Sequence, residues 1–181
     1  TAVTAAPTLP TTGSTTNANG EAENIALAGR ASQSSTAHGG EADRAIDGNT
    51  SGAYSGRSVT HTNGNANNWW QVDLGRSIEN LDRIVLFNRT DSCCDDRLSN
   101  FRVSVLDGDD EVFAENYFSN GFVDENFEIK LPANTRGDRV RVQINGNNNQ
   151  NNGYLSLAEV QVWTSVTNAN INIEVNETSE P

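Results

Sequence analysis

The chain has 181 residues, with 24 Asp+Glu against 12 Lys+Arg and a formal net charge of -12. That length suits one domain of ordinary size with polar ends, since domains run roughly 100–150 residues. The acid excess excludes the basic face that nucleic acid or an anionic membrane requires, and no apolar run approaches the roughly 18–20 residues of a membrane helix, so membrane insertion is not expected.

Residues 1–23 are Thr, Ala, Asn, Gly and Pro with hardly an aliphatic cluster. Such a composition buries too little surface to offset its ordering entropy and reads as a low-complexity linker. The ordered module is expected over 24–164. Within it short alternating runs recur: Trp70-Gln71-Val72-Asp73-Leu74, Ile84 to Phe87, Phe101 to Val105, Phe127 to Leu131 and Val140 to Ile144. Gly, Asn and Asp separate them, and no longer stretch keeps a helical period. The fold class is therefore all-β, an antiparallel β-sandwich, with the Gly/Asn-rich segments Ser34–Asn68 and Gly146–Gly153 as end loops. Residues 165–181 are a second linker or the start of a neighbouring domain, with Ile171, Ile173 and Val175 alternating like a strand. Linkers at both ends imply a part of a larger multidomain protein.

One run breaks its alternation. In Leu155-Ser156-Leu157-Ala158-Glu159-Val160-Gln161-Val162 the inward parity passes from the leucines to the valines, and Glu159 falls on the parity of the core leucines. A bulge explains the shift. Glu159 then either faces inward, where a carboxylate needs a cation or an Arg partner, or is turned out to solvent.

Enzyme constellations are thin. His38 and His61 are the two histidines, and there is no G-x-S-x-G, H-E-x-x-H, P-loop or G-x-G-x-x-G, so no catalytic residue is assigned. The informative cluster is Asn88-Arg89-Thr90-Asp91-Ser92-Cys93-Cys94-Asp95-Asp96-Arg97, leaving an apolar run. Carboxylates there can fix each guanidinium so that it donates in pairs to vicinal hydroxyls and a ring oxygen, the geometry of a pyranose. The other reading is a surface salt-bridge network. Cys93 and Cys94 are adjacent and cannot chelate zinc alone. Joined, they form a small strained ring with a flat sulfur face against which a sugar edge can pack; reduced, they are two ordinary thiols. Upstream, Arg44-Ala45-Ile46-Asp47-Gly48-Asn49-Thr50 and Ser58 offer closely spaced oxygens that suit Ca²⁺, or simply make a turn.

As an ordered set, Asn24-Ile25-Ala26-Leu27, Ala45 to Asn49, Thr60-His61-Thr62, Trp69 to Gly75, Asn88 to Asp91, Arg97 to Phe101 and Leu155 to Val160 resemble the F-type, fucose-binding lectins, a branch of the discoidin-like galactose-binding folds. The resemblance implies a jelly-roll sandwich of about eight strands whose end loops bind terminal α-L-fucose. By resemblance His61, Arg89 and Arg97 hydrogen-bond the sugar, Asp91 completes the motif, and Cys93–Cys94 form a vicinal disulfide on the ring edge. Tyr54 contacts the sugar's methyl group, and His38 lies in the first loop. The same resemblance implies a structural calcium held by Asp47, Asn49, Ser58, Glu159 and the carbonyls of Arg44 and Ala158. Its partners are fucosylated glycans or fucose-containing polysaccharide, and its setting is secreted or cell-surface, in cell adhesion. Ser92 adds one residue to the usual spacing between Asp91 and Arg97. A discoidin-like adhesion or spacer module with a degenerate sugar site, binding another glycan or a protein, is the alternative.

Overall fold

The computed structural model describes residues 22–91, 93–146 and 152–165. Residues 1–21 and 166–181, which make up most of the two expected linkers and include Ile171, Ile173 and Val175, lie outside them, as does Ser92. The described residues form six antiparallel strands: β1 (Arg30–Gln33), β2 (Trp69–Phe87), β3 (Phe101–Asp107), β4 (Asp110–Tyr117), β5 (Asn126–Ile144) and β6 (Glu159–Thr164). They are hydrogen-bonded in the order β1-β2-β5-β3-β4, with β6 on β2.

The two 19-residue strands explain the sandwich. The first half of β2 pairs with β1 and with the second half of β5: Trp70 opposes Val142 and Val72 opposes Val140. Register shifts follow between Asp73 and Arg83. The second half of β2 then pairs with the first half of β5 and with β6, placing Ile84 opposite Ile129 and Val162. Irregularities of this kind let a strand turn a corner and pass from one layer to the other. Divided at the corner, β2 and β5 each contribute two segments, so six strands serve as eight, matching the strand number expected.

Alternation sets what the layers enclose. Trp70, Val72, Val103, Val105, Val140 and Val142 from one layer join Ile84, Leu86, Ile129, Leu131, Val160 and Val162 from the other in one buried cluster. Trp70 is fully buried, and its indole N–H donates to the Ala42 carbonyl at 3.0 Å, joining the core to the long β1–β2 loop.

All five alternating runs lie in strands, and the described residues hold only short 3-10 turns besides. β4 was not expected. It is an edge strand, and its burial follows no clean period because its side chains face solvent along much of their length. The expected bulge at Leu155–Val162 is replaced by a strand that begins only at Glu159. The preceding residues pair instead with a loop, which buries Leu155 through Val160 without interruption.

Candidate functional site

The site is built on that loop pairing. Thr60 N–H donates to the Leu157 carbonyl and Thr62 N–H to the Leu155 carbonyl, at 2.8 and 3.1 Å. The return bonds are taken by hydroxyls: Leu157 N–H donates to Thr60 Oγ1 at 3.0 Å and Leu155 N–H to Thr62 Oγ1 at 2.9 Å. On the other side His61 N–H donates to the Gly40 carbonyl, and Ala37 N–H to the His61 carbonyl. A Cβ at Gly40 would stand 2.5 Å from the His61 nitrogen, so only glycine lets the two backbones approach. His61 is thus clamped between two segments and only 4% exposed.

Its ring chemistry follows from its neighbours. Nδ1 lies 2.7 Å from the Thr62 carbonyl and must donate there, which leaves Nε2 as an acceptor. Arg97 Nη1 meets Nε2 at 2.7 Å and donates to it. Burial pushes the imidazole pKa down, against the Thr62 bond that raises it, and the Arg97 charge lowers it further. His61 is therefore neutral at physiological pH. Three rings enclose it edge-on: His38 at 5.0 Å, Tyr154 at 5.5 Å and Tyr54 at 5.8 Å.

The two arginines are held differently. Arg89 Nε and Nη2 donate to the Asp91 carboxylate at 2.5 and 3.2 Å, a bidentate pair, while the guanidinium stacks 4.5 Å over the Tyr54 ring. Burial alone would raise the Asp91 carboxyl, but the Arg89 bond and charge outweigh it and hold the pKa below its usual range. Arg97 was expected to be held by a carboxylate as well. Instead it is fixed by neutral groups: His61, the Ser156 hydroxyl at 3.4 Å, and the Tyr154 ring 4.6 Å below its plane. Its charge is therefore not consumed by an acid. Arg89 Nη1 and Arg97 Nε and Nη2 carry no partner among the described residues and are available to a ligand.

The loop carrying both arginines is pinned from beneath. The Asn88 side-chain amide donates to the carbonyls of Asp95 and Val123 at 2.8 and 2.6 Å, and Thr90 N–H donates to the Gly52 carbonyl. Gly52 lies so close to Thr90 and Asn88 that a Cβ there would collide, which brings the Tyr54 turn against Arg89.

Cys93 and Cys94 stand side by side as thiols in this structure, the first exposed and the second half-buried. Burial and a hydrogen bond with Cys93 push the Cys94 thiol pKa up, so it keeps its proton. Cys94 sits in the left-handed region at φ 70°, a strained setting for a non-glycine, and Arg89 Nη2 lies 3.5 Å from Cys93 Sγ. The sulfur pair borders the arginine site whatever its redox state.

Glu159 resolves its two readings. It faces inward with 0% exposure. Oε1 accepts from Gly48 N–H at 3.1 Å, while Oε2 is buried without a hydrogen bond. Burial raises its pKa to about 7, and the charge of Asp47 adds to the shift. An orphaned buried carboxylate oxygen beside a second carboxylate is the setting that a bound cation relieves. Asp47 Oδ1 and Asn49 Oδ1 each accept from the backbone N–H two residues on, shaping the turn. Ser58 donates to the carbonyls of Ser51 and Ala53.

Sequence reading missed two contributors, Tyr154 and Ser156. Both bear on Arg97 from the segment before β6. The available signals were an aromatic side chain next to a Gly/Asn-rich loop and a serine between two core leucines.

Residues 44–142 match the family of NedA-like, galactose-binding domains. The lectin domain of lectinolysin, solved with Lewis b antigen, has 44% identity and a TM-score of 0.71; the match covers 79% of this chain and 97% of that one. A Streptococcus pneumoniae fucose-binding module has 38% identity and a TM-score of 0.69, over 78% of this chain and 98% of that one. This chain belongs to the F-type lectins, within the NedA-like galactose-binding domain family. A fucolectin of Anguilla anguilla is 38% identical over 88 residues, 46% of this chain and 54% of that protein. The F-type lectin therefore spans about half the length of the curated relatives it matches. The family is one of carbohydrate-binding modules and not of enzymes, in keeping with the thin catalytic signals of the sequence.

Proposed function

We propose that this F-type lectin binds terminal α-L-fucose, with His61, Arg89 and Arg97 as the hydrogen-bonding set. The single observation that carries the reading is two guanidiniums with unused donors converging on a neutral, ring-enclosed imidazole. A hydroxyl that enters can displace Arg97 Nη1 from His61 Nε2, donating to the ring and accepting from Arg97, while Arg89, oriented by Asp91, serves a neighbouring hydroxyl or the ring oxygen. Tyr54, His38 and Tyr154 supply apolar ring surface, with Tyr54 facing the sugar's methyl group. Cys93 and Cys94 border the ring edge. In an oxidising compartment a disulfide acceptor removes two electrons and two protons from the pair and leaves Cys93 Sγ bonded to Cys94 Sγ.

Calcium fits the inner face of the site. Asp47, Asn49, Ser58, Glu159 and the carbonyls of Arg44 and Ala158 are the residues that would hold it, and the orphaned Glu159 oxygen supports their choice. Its contribution is structural charge compensation under the loops that carry His61 and Tyr54.

The ligands are fucosylated glycans met outside the cell, and the module acts within a larger secreted or surface protein in adhesion. A monosaccharide offers few desolvated contacts, so a single site binds in roughly the millimolar to micromolar range and multivalency supplies avidity. Calorimetry with L-fucose and D-galactose tests the reading. Preference for L-fucose, lost in Arg97→Ala while the melting temperature stays within a few degrees, supports it. Equal or absent binding of both sugars by the unaltered protein overturns it.

A further inference from the structure

Beside the arginine site a cleft of about 270 Å³ opens between His38, Gly39, Arg44, Tyr54, Ser55 and Arg57. His38 and Tyr54 belong to both places, since their rings also enclose His61. The Tyr54 hydroxyl donates to the His38 carbonyl at 2.7 Å, so this shared wall is a fixed partition. The cleft and the arginine site therefore adjoin across His38 and Tyr54.

The chemistry of the cleft differs from that of the sugar site. Arg57 is exposed and its guanidinium makes no hydrogen bond or ion pair among the described residues. Its charge is thus not neutralised in place, unlike those of Arg83, Arg89, Arg102, Arg136 and Arg139, which hold carboxylates. Arg57 also closes the Tyr54–Gly56 turn in the left-handed region at φ 62°, where Gly or Asn is favoured. Arginine is thus kept there against backbone preference, with its charge unspent. Arg44 adds a second guanidinium, of which Nη1 is bound to the Val59 carbonyl.

We propose that this cleft is a subsite for an anionic substituent, a sulfate ester or a carboxylate, on the saccharide next to the fucose. Arg57 supplies the unpaired charge, and Arg44 and Ser55 supply further donors. The proposal rests on the fucose reading and extends it to the substrate class. A guanidinium fork matches both oxyanions in a way that neutral hydroxyls do not need. Distant acids of the chain do not cancel it, because their field decays over about 8 Å at physiological ionic strength.

The test is calorimetry with L-fucose, a neutral fucosylated trisaccharide, and the same trisaccharide carrying either a sulfate ester or a carboxylated sugar. The unaltered protein should bind an anionic form about three- to fivefold more tightly than the neutral one, and the gain should shrink in high salt. Arg57→Asn tolerates the left-handed backbone and should abolish the gain, Arg57→Lys should restore part of it, and L-fucose affinity should be the same in all three proteins. A gain confined to one anionic probe identifies the substituent. Equal affinity for neutral and anionic trisaccharides, or a preference that survives Arg57→Asn, overturns the subsite while leaving the fucose reading intact. Absence of L-fucose binding overturns both.

Discussion

The contacts of His61 require a neutral ring. Nδ1 is committed to a carbonyl and Nε2 faces a guanidinium, so a proton on Nε2 would set two cations against each other. Burial and the Arg97 charge place its folded pKa below the ordinary value of 6.5. The unfolded chain therefore binds the proton more readily than the folded one, and this residue's stability is present above pH 6.5 and is lost as pH falls through the lowered pKa. Sugar affinity should follow the same course: constant from pH 7.5 to about 6.5 and declining below it. Calorimetric titrations across that range check this, and a midpoint of loss above 6.5 would contradict the assigned tautomer. The identity of His61 was legible from its place between two threonines in a family motif. Its enclosure by His38, Tyr54 and Tyr154 was not, because those rings come from distant points of the long β1–β2 loop and from the segment before β6.

The element that matters most is not a regular strand. Residues 59–62 and 155–158 lie side by side with hydroxyls standing in for backbone acceptors, and this ladder holds His61 on one segment and Ser156 on the other. Thr60→Val keeps the shape but leaves the buried Leu157 N–H without its partner. Unfolding should become easier by roughly 1–3 kcal/mol, and sugar affinity should fall as the Arg97–His61–Ser156 arrangement loosens. Denaturant melts and calorimetry on one preparation check both. Alternation revealed the core runs of β2, β3 and β5, whose pattern is imposed by one buried face. It failed at Leu155–Val160, where every residue is buried, and at β4, where an edge position weakens the period.

At the scale of the whole molecule, the loops over one end of the sandwich are coupled to the core through Glu159. Without a cation its folded pKa is raised to about 7, from an ordinary 4.5. The folded state then holds more protons than the unfolded one between those values. Stability contributed by this group is full below pH 4.5 and falls as pH rises to about 7, by roughly 3 kcal/mol. Under the proposed calcium site a bound cation would compensate the ionised carboxylate, so at pH 7.5 added Ca²⁺ should raise the melting temperature and chelator lower it. Glu159→Gln should remove that response. Thermal melts with and without chelator check this, and an equal response in the variant would place the calcium effect elsewhere.

The linear chain by itself determined the class of fold, because two-residue periodicity and turn chemistry act locally, and it offered His61, Arg89, Asp91 and Arg97 as candidates through a family resemblance. It also excluded basic-face partners through charge, a property that needs no coordinates. Only the tertiary structure decided what those residues touch. It put Arg97 on neutral His61 and Tyr154 instead of an acid, turned Glu159 inward with one oxygen unpaired, and left Arg57 without a partner among the described residues beside the arginine site. The physical reason is that pairing, burial and pKa depend on groups brought together from distant loops. A sequence pattern sees only which residues are available to meet, not which of them do.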